Sequence, residues 1–118
     1  MEERVSTVYK ISPRLEWEAA VAAGVFHGAP IDLQDGFIHF SSADQVRETA
    51  AKHFAGQDDL VLVAIPADAL GEDLKWEVSR GGALFPHLYA TLDPALAAWA
   101  VPLPLNNAGA HVFPELEA

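Results

Sequence analysis

The pattern of apolar and polar positions predicts several short strands, with helices confined to the early part of the chain. Val5 to Ile11 (VSTVYKI) is β-branched and aromatic and predicts a first strand. Ser12 as an N-cap, followed by Pro13 where a missing N–H costs nothing, opens a helix. Leu15, Trp17, Ala19, Ala20 and Ala22 carry that helix to about Ala23, and Gly24 supplies its stop. A loop is expected from His27 to Gly36, feeding a short run from Phe37 to Ser41. Ser42-Ala43-Asp44-Gln45 has the form of a capping box. The second helix follows it, with Val46, Ala50 and Phe54 on one stripe and Gly56 closing it.

Leu60 to Ile65 (LVLVAI) is continuously apolar and predicts a central strand buried on both faces. Pro66 to Asp73 reads as a turn, and Leu74 to Ser79 alternates as a strand. Arg80-Gly81-Gly82-Ala83 forms a flexible connection before a second alternating run, His87 to Leu92. Asp93-Pro94 caps a helical turn. Trp99 to Leu105 suits an edge strand, because Pro102 and Pro104 cannot donate to a ladder on both sides. The sum is an α+β fold of small mixed or antiparallel β-sheets with two helices in the N-terminal half. Helices do not alternate strictly with strands, and no Gly-x-Gly-x-x-Gly follows a strand, so a doubly wound nucleotide-binding sheet is not expected.

The length, 118 residues, fits one domain over 1–118, with residues 1–4 and about 106–118 expected as loosely packed termini. Seven Lys and Arg stand against 17 Asp and Glu, a formal charge of −10. Phosphate backbones and anionic membranes bind through clustered cations, so neither nucleic acid nor a membrane is an expected partner. A small anionic ligand is not excluded, because a pocket can hold a local positive potential inside a negative molecule. The absence of Cys removes disulfides, thiol nucleophiles and cysteine-bound metals. Met1-Glu2-Glu3-Arg4 does not resemble a signal peptide, and the strongly apolar run at Leu60 to Ala67 falls short of the ~20 residues of a membrane helix. A cytoplasmic location is the expectation.

Strand alternation selects the candidate chemistry. His39 and Ser41 share one face of their run and Ile38 and Phe40 the other. Lys75, Glu77 and Ser79 oppose Leu74, Trp76 and Val78; His87, Tyr89 and Thr91 oppose Leu88, Ala90 and Leu92. Paired in one sheet, the polar faces would converge as two imidazoles, a phenol, a carboxylate and hydroxyls, a set suited to ligand binding or acid–base work. The competing reading is the solvated face of an antiparallel sheet. Arg80 beside Gly81 and Gly82 could pair with an anion, or simply close a hairpin. His53 reads as a packed helix residue, and His27 and His111 as solvent-facing. No metal site is expected: there is no His-Glu-x-x-His, and Asp32 to Gly36 fails the register of a calcium loop.

Several blocks occur in a recognisable order: Asp35-Gly36-Phe37-Ile38-His39-Phe40-Ser41-Ser42, then Gln45-Val46, Thr49-Ala50, Phe54 and Gly56, then Trp76-Glu77, then Phe85-Pro86-His87-Leu88-Tyr89. Together they resemble a small, mostly bacterial family known as a domain of unknown function, number 952. That family is similar to the ADP-ribosyltransferase-like split-β architecture, in which two small sheets flank an NAD-binding cleft. The resemblance implies that His39 and Ser41 would hold a ribose, that Tyr89 and Phe40 would offer aromatic surface, and that Glu77 or His87 would act on the scissile bond. Phe40 after His39, and Glu77 ahead of His87 and Tyr89, depart from the transferase pattern. The expected function is therefore a His/Tyr-lined cleft for a small nucleotide-like or anionic ligand, with Arg80 as a further anion contact. The alternative is an ADP-ribosyltransferase-like enzyme acting on NAD.

Overall fold

The computed structural model describes residues 6–118, apart from the side chain of Arg80. Its elements are β1 (Thr7–Pro13), α1 (Arg14–Ala23), α2 (Pro30–Asp35), β2 (Ile38–His39), α3 (Ala43–His53), β3 (Leu60–Pro66), β4 (Leu74–Val78), β5 (Leu84–Leu88) and β6 (Trp99–Pro102). Short 3-10 segments span Ala67–Asp73, Arg80–Gly82 and Pro94–Leu96. The fold is α+β. Every strand pairing is antiparallel, in two three-stranded sheets ordered β1-β3-β6 and β2-β5-β4.

The continuous apolar run of β3 makes it the middle strand of its sheet, since each of its faces must be covered. Val61, Val63 and Ile65 face one core with Val8, Trp17, Phe26, Phe40 and Leu88. Leu60, Leu62 and Ala64 face a second core with Tyr9, Ile11, Val46 and Ala50. β6 lies at the edge, as its prolines require. The capping signal at the start of α3 operates as a backbone bond: the Ser42 N–H donates to Gln45 Oε1 at 3.0 Å. Gly24 ends α1 in the left-handed region (φ 78°), where its N–H reaches the Ala20 carbonyl.

A backbone bridge joins the two sheets. Tyr9 on β1 and Ser41 just beyond β2 exchange two backbone hydrogen bonds, of 2.8 and 2.9 Å. Past that bridge the strands diverge, and the wedge between them becomes the candidate site.

Three expectations need correction. The stretch expected as loop contains α2, a helix of 6 residues entered at Pro30; the proline starts it and Gly36 ends it. The second alternating strand is β5, Leu84–Leu88, so Tyr89 to Leu92 leave the sheet. On β4 the alternation holds but only Leu74 of its apolar face packs on the core, while Trp76, Val78 and neighbouring Leu84 are exposed. On the polar side Phe37 packs over His87 and Tyr89.

The C-terminal stretch makes specific contacts. Phe113 and Leu116 pack on the second core, and Tyr9 Oη donates to the Glu117 carbonyl at 2.7 Å while accepting its N–H at 2.8 Å. His111, expected to face solvent, donates through Nε2 to the Gln57 carbonyl at 2.9 Å. Residues 1–4 lie outside the described residues.

Candidate functional site

β2 and β5 pair so that His39 stands directly opposite His87. Their rings meet edge to face with centroids 5.6 Å apart. β4 on the far side of β5 sends Glu77 onto the same face, where Oε1 lies 2.8 Å from His87 Nδ1. The same oxygen accepts from Tyr89 Oη at 2.7 Å. The sheet thus brings His39, Glu77 and His87 together, and Tyr89, one residue past β5, joins them through Glu77. Phe37 fills the space among them, stacked on His87 with centroids 4.1 Å apart and planes 22° apart.

His39 is held by two carboxylates. Nδ1 lies 2.6 Å from Asp32 Oδ1, and Nε2 lies 3.0 Å from Asp35 Oδ2. The Asp32 carboxylate is buried, and its second oxygen meets Lys10 Nζ at 2.8 Å. Two backbone donors complete it: Ala29 N–H at 2.8 Å and His39 N–H at 3.1 Å. Burial alone would raise the Asp32 pKa, but the hydrogen bond from His39, the Lys10 ammonium and the Ala29 amide outweigh it and hold the carboxyl at about 2. Asp32 therefore stays ionised and locks β1, α2 and β2 to one another.

Neither Lys10 nor Asp32 stood out in the sequence as a site residue. A lysine inside an otherwise β-branched strand was the available signal, since a buried ammonium demands a partner. Asp32 was hidden because the stretch around it read as loop, although Pro30 at a helix start would have placed it one turn in.

Beside this network a pocket of about 320 Å³ opens in the wedge between β1 and β2. Its polar wall comprises Lys10, His39, Ser41, His53, Ser79 and His87, with Thr49 on α3 behind Ser41. Ser41 Oγ and Thr49 Oγ1 are 3.0 Å apart. No Asp or Glu among the described residues lines this pocket. The three site carboxylates, Asp32, Asp35 and Glu77, act from behind the imidazoles instead.

The remaining candidates separate cleanly. Glu77 and Tyr89 do not line the pocket; Tyr89 borders a shallower depression with Phe37 and Asp32. Glu77 touches His87 and Tyr89, and its carboxyl is held below the ordinary range by the Tyr89 hydroxyl and then by His87. Phe40 borders the pocket, while its side chain belongs to the first core and is 2% exposed. It faces inward because it alternates with His39 and Ser41 along the strand. Arg80's side chain lies outside the described residues. Among the described residues, no group of three or more His, Asp or Glu is arranged to hold a metal ion, and no helix is long and apolar enough to cross a membrane.

The same fold occurs in protein CC0527 from Caulobacter crescentus. Its crystal structure matches this chain with a TM-score of 0.87 at 52% identity, over 91% of this chain and 94% of that one. Its solution NMR structure matches with a TM-score of 0.81 at 54% identity, over 88% and 90%. No curated protein matches the chain. The pattern of the family described as "Protein of unknown function (DUF952)" covers residues 11–100, including the whole β2-β5-β4 sheet with His39, Glu77, His87 and Tyr89, and the chain belongs to that family.

Proposed function

We propose that the wedge pocket binds a small anionic ligand, with Lys10 and the imidazoles of His39 and His53 supplying the attraction and Ser41, Thr49, Ser79 and His87 supplying hydrogen-bonding groups. One observation carries the reading: a chain of net charge −10 builds a pocket whose described lining includes a lysine and three histidines but no carboxylate. Seventeen acidic residues distributed without regard to function would be expected to place at least one there. Such a pocket concentrates anions locally against the field of the whole molecule. Its volume of about 320 Å³ lies at the lower end for ligand sites. That size favours a phosphate ester or a mononucleotide-sized molecule over an extended polymer, which the net charge also disfavours.

Thermal denaturation with inorganic phosphate, nucleoside monophosphates and NAD tests the reading. A ligand present at 100 times its dissociation constant adds about 2.7 kcal/mol to stability. No stabilisation by any of these anions at millimolar concentration would overturn it.

A second reading, an ADP-ribosyltransferase-like enzyme acting on NAD, draws support from His39 and Ser41 lying where the two sheets part. In that case NAD would enter the wedge and project beyond it towards Arg80, with His87 nearest the reacting bond. Nicotinamide release from NAD by the wild-type chain, lost in His39→Ala, would favour this reading; equal background release from both proteins would remove it.

A further inference from the structure

We infer that the Tyr89–Glu77–His87 chain fixes His87 Nε2 as a hydrogen-bond acceptor inside the pocket, and that the anion bound there therefore carries a hydroxyl group. The inference rests on the anion-binding reading and names the ligand more closely: a hydroxylated anion, of the class of polyol and sugar phosphates.

Glu77 is where the argument starts. Its Oε1 receives the Tyr89 hydroxyl at 2.7 Å and faces His87 Nδ1 at 2.8 Å. With its pKa lowered by the Tyr89 and His87 hydrogen bonds, this carboxyl is ionised near neutral pH. An ionised carboxylate only accepts hydrogen bonds, so the proton between it and His87 resides on Nδ1. In the neutral ring Nε2 is then left with a lone pair.

The ring is also held in place. His87 sits on β5, the middle strand of its sheet, and is 5% exposed. Phe37 stacks on it at 4.1 Å and fixes the ring plane, and a ring flip within that plane would break the Glu77 bond. Nε2 has no hydrogen-bond partner among the described residues. No buried side-chain nitrogen among them lacks a partner, so Nε2 is open, and His87 opens onto the pocket.

His39 cannot play this part, because each of its nitrogens already faces a carboxylate. The pocket thus combines a bare acceptor with the Lys10 ammonium within a volume that one small molecule can span. An anion without a donor group leaves Nε2 unpaired once water is displaced. An anion with a hydroxyl supplies that donor. Sites built around such a bond reject analogues that lack the donor. Glu77 and Tyr89 act here as positioning residues.

Calorimetric titration of the full chain at about pH 8, above the ordinary imidazole range, tests this with inorganic phosphate, glycerol 1-phosphate and n-propyl phosphate. The two esters match in charge and nearly in size. Glycerol 1-phosphate is expected to bind about tenfold more tightly than n-propyl phosphate, the effect of one satisfied hydrogen bond. In Glu77→Ala that preference should fall to about twofold or less, near the lower limit for a single hydrogen bond. Nitrogen-detected NMR of His87 supplies a readout that a purely structural role would not move: the Nδ1–H tautomer in the wild type and its loss in Glu77→Ala. Equal affinity for the two esters, or a wild-type His87 carrying its proton on Nε2, would overturn the inference and leave the anion reading standing. Failure of all three probes to bind would overturn the anion reading, and this inference with it.

Discussion

Lys10 Nζ and Asp32 Oδ2 meet at 2.8 Å, with 6% and 1% of their side chains exposed. Lys10 belongs to the first sheet, and Asp32 also grips His39 of the second. One carboxylate thus sets the spacing of the wedge. Breaking such a pair by removing one partner leaves the other charge buried and uncompensated, at a cost of about 3–5 kcal/mol. Lys10→Met should show that loss in urea denaturation. A loss below about 1 kcal/mol, the range of exposed ion pairs, would mean that the pair is not the tie proposed.

The acid limb of the stability curve should carry the signature of Asp32. Folding lowers its pKa from 3.8 to about 2. The resulting stabilisation is complete above the ordinary value, and it disappears as pH falls through about 2. Over that window the wild type should lose roughly 2 kcal/mol that Asp32→Asn does not. Glu48, Asp59 and Glu77 are also held below the ordinary range by hydrogen-bonded partners. They titrate in both proteins, so the difference between the two curves isolates Asp32. Parallel acid profiles would contradict the assignment.

Gly28 is the position where a methyl group should reach the site from outside it. Its backbone lies at φ 122°, and an added Cβ would stand 2.8 Å from Asp32 Cβ. Gly28→Ala must therefore shift α2 or the Asp32 side chain, and with it His39. Unfolding should become easier by about 1–3 kcal/mol, and the His39 ring resonances should move. Unchanged His39 resonances would show that α2 does not transmit its position to β2.

Tyr9 ties the C-terminal stretch to β1. Tyr9→Phe removes a hydroxyl that donates to and accepts from Glu117, two bonds of about 1 kcal/mol each. Amide exchange at residues 113–118 should accelerate in the variant, with little change in β3. Equal protection of the tail in both proteins would argue that Phe113 and Leu116 alone hold it.

Strand alternation carried much of this account. It put His39, Glu77 and His87 on one side of one sheet because period-two geometry is local and survives errors in strand length, with Tyr89 one residue beyond. Leu60 to Ile65 announced a central strand through its unbroken apolar run, which needs cover on both faces. What alternation could not supply was which face would be covered. Trp76 and Val78 on β4 looked like core, yet they are exposed, because coverage depends on what packs from elsewhere in the chain. Asp32 and Lys10 lie 22 residues apart and form a pair only when α2 folds against β1. The tail likewise depends on a hydroxyl 108 positions away. These are long-range facts with no periodic trace.

The central claim is that the wedge between the sheets is an anion site, and an amide and imidazole NMR titration with inorganic phosphate tests it most directly. Saturable shifts confined to Lys10, His39, Ser41, Thr49, His53 and His87 are the predicted result. Shifts absent from these residues, or centred on the exposed Trp76–Val78 face, would contradict it.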